Sequence, residues 1–203
     1  MTNNQKKITQ INARKVRGKI FIISGPSGVG KTTIAKRVLR KLPFLKTTLT
    51  YTTRTKRLGK KEDKTIIHID EKEFRKKISQ GQFLEWAIVH DNFYGTDAKI
   101  VHQRLRKSSL LMNIDVQGAL QIKEKLPKKT VLIFLKTKNI KELIRRIQKR
   151  EKMPEAILKL RIKNARKELA LAKRYDYAVI NEKDKIAKTV SDITKIIKKY
   201  VIK

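Results

Sequence analysis

Residues Gly25-Pro26-Ser27-Gly28-Val29-Gly30-Lys31-Thr32 set glycines, a lysine and a hydroxyl in the order G-x-x-x-x-G-K-[ST]. That spacing suits the holding of a phosphate chain. The glycines let the backbone turn so that successive N–H groups point inward at phosphate oxygens. Lys31 can reach the β- and γ-phosphates of a nucleoside triphosphate, the Thr32 hydroxyl can ligate Mg2+, and Thr33 closes the segment. The helix that follows offers its positive N-terminal end to the anion.

Such a loop works only between a strand and a helix, and the flanking sequence supplies both. KIFIIS (19–24) is an apolar, β-branched run that reads as a buried strand, and Thr32–Leu42 reads as a helix closed by Pro43. Further strands are expected at 47–51, 66–69, 83–89, 110–115, 131–136 and 177–181. Helices are expected at 71–80, from 116 to about 125, at 139–150 with Asn139 as N-cap, after Pro154, and at the C-terminus. Strand alternating with helix implies an α/β fold whose parallel sheet is flanked by helices through right-handed crossovers.

Composition narrows the setting. The chain has 203 residues, no cysteine, and 52 basic against 18 acidic residues. The absence of cysteine removes disulfides and thiolate metal sites and fits a reducing cytoplasm. No apolar run is long enough to span a membrane. Residues 1–17 carry five basic residues and no apolar block, so they read as a basic arm rather than a secretory signal. The net charge of +34 attracts polyanions, but lysine is spread along nearly every segment, so nucleic-acid contact is expected to be at most non-specific. His68, His90 and His102 show no metal spacing.

The loop alone is shared by ATPases, GTPases and kinases, and no base-reading Asn-Lys-x-Asp run marks a GTPase. The remaining motifs discriminate. SGPSGVGKTT (24–33), TYTTRTKRLG (50–59), GQFLEWAIVHDNFYGT (81–96), NIDVQGA (113–119), the arginine-rich segment 145–169 and YDYAVIN (175–181) together resemble the guanylate kinase family over about residues 18–188. The resemblance implies a P-loop nucleoside monophosphate kinase fold. Its core would be 18–49, 97–145 and 163–203, with a GMP-binding insertion at 50–96 and a lid at 146–162. It implies ATP and GMP as substrates, Mg2+ as cofactor, and a monomer or homodimer.

The same resemblance assigns residues. Gly25 to Thr33 would bind ATP, with Asn181 near its adenine end. Arg54, Arg57 and Tyr94 would hold the GMP phosphate, and guanidinium forks suit phosphate oxygens. Glu85 would accept from guanine N1–H and N2–H2, with Thr50 and Thr96 near the base and Asp115 completing the base or metal-water contacts. A carboxylate among apolar residues is costly unless it has a partner, which marks Glu85 independently. Lys31 with Arg146, Arg150 and Arg161 would neutralise the transferring phosphoryl group.

The chain departs from the family pattern at several points. Ile66 stands where a second phosphate-binding tyrosine is usual, Lys56 replaces a proline, and Lys60 and Asp63 replace a glutamate and a glycine. Asn113 replaces the first carboxylate of an Asp-x-Asp strand motif, and Glu151 follows Arg150 where glycine is usual. These leave open a guanylate-kinase-like binding module, or a kinase with a different acceptor.

Overall fold

The computed structural model describes residues 18–56, 65–89, 91–150 and 153–201. Elements follow in the order β1 (Ile20–Ser24), α1 (Lys31–Lys41), β2 (Thr50–Thr52), β3 (Ile66–His68), α2 (Glu71–Ser79), β4 (Phe83–Val89), β5 (Asn92–Asp97) and α3 (Ala98–Leu105). They continue with β6 (Leu110–Asn113), α4 (Val116–Lys125), β7 (Thr130–Lys136), α5 (Ile140–Arg150), α6 (Glu155–Ala170), a 3-10 turn (Leu171–Arg174), β8 (Tyr177–Ile180) and α7 (Ile186–Val201). The expected basic arm at 1–17 lies outside the described residues.

Two sheets form. One has the strand order β6-β1-β7-β8, with β7 and β8 parallel and helices flanking it. Every residue of β1 is buried, as are six of the seven in β7, which is why both read as unbroken apolar runs rather than alternating ones. The other sheet has the order β3-β2-β5-β4 and is mixed: β2 runs parallel to β3, while β5 is antiparallel to both β2 and β4. Contacts divide the chain into two compact units, one containing 44–111 and 117–130, the other 21–43, 112–116 and 131–201.

Caps set the helix starts. Asp70 accepts from Glu73 N–H at 2.7 Å, Asp97 from Ile100 N–H at 2.8 Å, and Asn139 from Glu142 N–H at 2.9 Å. The Asn139 cap agrees with the sequence expectation. Strand β5 and helix α3 were not expected. NFYGTD contains Gly95 and two polar ends, so it reads as a loop, yet Gly95 is there for packing. A Cβ on it would come within 2.9 Å of the Phe83 ring and 3.0 Å of Phe74.

Candidate active site

In the unit that carries the glycine-rich loop, β1 ends at Ser24 and the chain turns immediately. Gly25 adopts φ +140, and a Cβ there would fall on the Leu135 carbonyl of β7. Gly30 adopts φ +99, with the Asn181 amide nitrogen 2.7 Å from where a Cβ would sit. Neither position admits a side chain, so the two glycines are dictated by both conformation and space. The loop is also tied from within. Lys31 Nζ donates to the Gly25 carbonyl at 2.6 Å and the Pro26 carbonyl at 3.1 Å.

Asn181 and Arg146 converge on the middle of the loop. The buried Asn181 donates Nδ2–H to the Val29 carbonyl at 2.8 Å and accepts from the Thr189 hydroxyl at 3.3 Å. Arg146 donates to the Asn181 carbonyl at 2.8 Å, to Val29 O at 3.4 Å and to Glu142 at 2.6 Å. Its guanidinium therefore lies against the loop. Arg161 is half-buried on α6.

Thr32 is exposed, and its hydroxyl oxygen accepts from Asn113 Nδ2–H at 3.1 Å. That bond gives Asn113 a role: the amide occupies the end of β6 and orients the loop threonine. Asp115 is half-buried in the same unit. Sequence reading missed Glu168 on α6. Burial pushes its carboxyl up to about 7, Lys31 pulls it down, and Asp115 pushes it up further. Tyr175, also missed, is held above the ordinary phenol range chiefly by burial. The Ser24 hydroxyl beside it pulls the other way, and Asp115 and Glu168 add to the rise. Both lie inside the segments 145–169 and 175–181 that carry the resemblance, but their partners Ser24, Lys31 and Asp115 are remote in the chain and meet them only in the fold.

In the other unit, four of the residues expected at the acceptor, Thr50, Glu85, Tyr94 and Thr96, fall on one sheet. Thr50 of β2 lies opposite Thr96 of β5, which lies opposite Glu85 of β4, and Ile66 of β3 completes the row opposite Thr50. Tyr94, two residues before Thr96, lies opposite Thr52 on the same face. The other face is apolar, where Phe74 of α2 packs with Phe83 and Phe93 and with Tyr51, Ile69 and Ile78.

Glu85 belongs to the polar face only because of an irregularity. The register moves from Phe83↔Asp97 to Glu85↔Thr96, so Leu84 is an extra residue in the ladder. The bulge breaks the period of two and turns Glu85 away from the side that Phe83 occupies. There Glu85 is 2 % exposed and accepts from the Thr96 hydroxyl at 2.6 Å.

Arg54 follows β2 and is half-buried. Its carbonyl lies 2.6 Å from His68 Nδ1, and its N–H donates to Thr52 Oγ1 at 3.2 Å. His68, which sequence reading left without a role, thus fixes the backbone at Arg54. Trp86, next to Glu85, is 38 % exposed and tilted against Phe93 with ring centroids 6.2 Å apart. Arg57, Lys60, Asp63, His90 and Glu151 lie outside the described residues, as does the side chain of Arg150.

Residues 17–200 match the guanylate kinase family profile. The chain belongs to the guanylate kinase family.

Curated guanylate kinases agree with that assignment. The chain is 40 % identical to the one from Caldanaerobacter subterraneus subsp. tengcongensis, over 90 % of this chain and 88 % of that one. It is 40 % identical to the one from Thermotoga maritima, over 82 % and 81 % respectively. The crystal structure of guanylate kinase from Anaplasma phagocytophilum superposes with a TM-score of 0.76 at 32 % identity, covering 93 % of this chain and 89 % of that one. As a guanylate kinase family member the chain is a kinase, with the parallel-sheet α/β fold that the sequence implied.

Proposed function

We propose that this chain transfers the γ-phosphoryl group of ATP to GMP, and to dGMP, forming the diphosphate. The observation that carries the reading is the row Thr50–Thr96–Glu85. It sets a buried carboxylate, already held by one hydroxyl, on the polar face of a sheet beside Tyr94. Guanine presents two adjacent donors, N1–H and N2–H2, and a fixed carboxylate is their complement. In this reading Arg54, Arg57 and Tyr94 hold the acceptor phosphate, and Asp115 supports the base or the metal-bound waters.

On the donor side, the N–H groups of Gly25 to Thr33 cradle the triphosphate, and Asn181 holds the loop through Val29. Lys31 leaves the loop carbonyls for the β- and γ-phosphate oxygens. Arg146, Arg150 and Arg161 neutralise charge on the transferring group, and residues 146–162 serve as a lid that excludes water. The attacking group is the acceptor phosphate oxygen, already anionic, so no general base is required. Alignment and charge stabilisation are the protein's contributions.

The loop's residues fit Mg2+. The ion takes most of its ligands from water and phosphate oxygens and needs one or two from protein. The exposed Thr32 hydroxyl offers a free lone pair while Asn113 orients it, and Asp115 supplies a carboxylate close by in the same unit. Held there by Thr32 and Asp115, Mg2+ would neutralise charge on the phosphate oxygens of the nucleotide. The enzyme is read as a cytoplasmic monomer or homodimer whose excess charge contacts nucleic acid only non-specifically. Among the described residues no helix is long and apolar enough to cross a membrane.

A coupled assay of ADP formation with GMP, AMP, CMP and UMP tests the reading. GMP is expected to be used far better than the others, because a site built on hydrogen-bond complementarity rejects mismatches by up to roughly 10⁴-fold. Equal use of AMP and GMP would remove the guanine assignment.

A further inference from the structure

Beside Glu85 an open sheet edge is closed by two side chains to which the reaction gives no role. Among the described residues β4 is an outer strand, so half of its backbone groups have no neighbouring strand to meet there. Trp86 N–H donates to Gln121 Oε1 at 3.3 Å, and the Trp86 carbonyl accepts from Gln121 Nε2–H at 2.8 Å. Two residues earlier, the Leu84 carbonyl accepts from Lys125 Nζ at 2.6 Å. Gln121 and Lys125 are one helical turn apart on α4 and so share a face. They therefore grip the residues immediately before and after Glu85.

The place they grip is the weak point of the strand. An edge strand carrying a bulge is paired on one side only, and the bulge is what turns Glu85 to the polar face. A shift of one residue would return the carboxylate to the apolar side with Phe83. Edge protection alone needs only an obstructing charge. A primary amide that meets both the N–H and the C=O of one residue does what a paired strand does, and it fixes register.

We propose that Gln121 and Lys125 are positioning residues for guanine recognition: α4 stands in for an absent strand and locks the bulged register that presents Glu85. The proposal rests on Glu85 as the base-reading group. A purely structural role would lower stability without altering which base is preferred.

The experiment compares kcat/KM for GMP and for inosine monophosphate, whose base lacks the 2-amino donor, in Gln121→Leu, Lys125→Met, Glu85→Gln and the double variant Glu85→Gln/Gln121→Leu. Gln121→Leu is expected to reduce the GMP preference about tenfold, through the GMP KM, with the ATP KM within about twofold of wild type. In the Glu85→Gln background it should add almost nothing, because both changes act through one carboxylate. Lys125→Met gives the same readout from the other side of Glu85 should Gln121→Leu fold poorly. A lowered Tm with the preference unchanged in both variants, or fully additive losses in the double variant, overturns the proposal. If Glu85→Gln itself leaves the preference intact, the base-reading assignment fails and this proposal falls with it.

Discussion

The Thr96 hydroxyl donates to Glu85 Oε1 at 2.6 Å, joining two buried residues on neighbouring strands of a polar sheet face. The bond holds one carboxylate oxygen and fixes the plane of the group. Glu85→Gln replaces one acceptor with a donor, and the amide then faces guanine's own donors. GMP kcat/KM is expected to fall by at least about a hundredfold with the ATP KM nearly unaltered. Thr96→Val removes only the supporting donor and should raise the GMP KM by roughly tenfold. Steady-state kinetics with both substrates varied separates these effects, and an unchanged GMP KM in both variants would contradict the assignment.

Lys31→Ala is expected to cut kcat by at least roughly a hundredfold, since the ammonium stabilises charge that develops on the transferring phosphoryl group. The same ammonium bonds the Gly25 and Pro26 carbonyls, so a modest fall in Tm should accompany the loss. Circular dichroism would show whether the fold survives. A folded variant that retains a tenth of wild-type turnover would remove the loop from the donor site.

Ile66 shares its row with Thr50, Thr96 and Glu85, and it stands where the family usually has a phosphate-binding tyrosine. Ile66→Tyr should restore a phenolic donor to the acceptor phosphate. A hydrogen bond to a charged group contributes about 1.5–3 kcal/mol, so the GMP KM is expected to drop roughly tenfold or more. Because every acceptor carries that phosphate, the preference for guanine should stay within about twofold. A change in preference without a change in KM would place Ile66 near the base instead.

Glu168 makes stability depend on pH. Burial raises its folded pKa to about 7, above the ordinary carboxylate value of 4.5. The folded state therefore binds the proton more tightly than the unfolded state. The contribution is fully present below pH 4.5 and is lost as pH rises through about 7. Glu168→Gln, always neutral, should abolish that decline and gain stability relative to wild type above neutrality, by at most about 3 kcal/mol. Denaturation at pH 5 and pH 8 measures it. Parallel pH dependence in the two proteins would show that Glu168 is not the group responsible.

Much of this protein can be read from local rules. The strand KIFIIS, the loop Gly25–Thr32 and the helix behind it obey constraints that act within a few residues, so their types and spacing suffice to define them. The same holds for the Asn139 cap and for the apolar β7 strand, whose burial on both faces leaves an unbroken hydrophobic run. Glu85 is conspicuous in sequence because an ionisable group between Leu84 and Trp86 requires a partner. What could not be read locally depends on neighbours distant in the chain. NFYGTD becomes a strand because β2 and β4 flank it and because Phe74 and Phe83 leave room only for glycine at Gly95. Asn113 finds its use in Thr32, and Glu168 its raised pKa in burial near Lys31 and Asp115. The bulge at Leu84 is the clearest case. Strict alternation would put Glu85 on the side of Phe83, and only the pairing of β4 with β5 turns it to face Thr96, because the extra residue reverses every side chain beyond it.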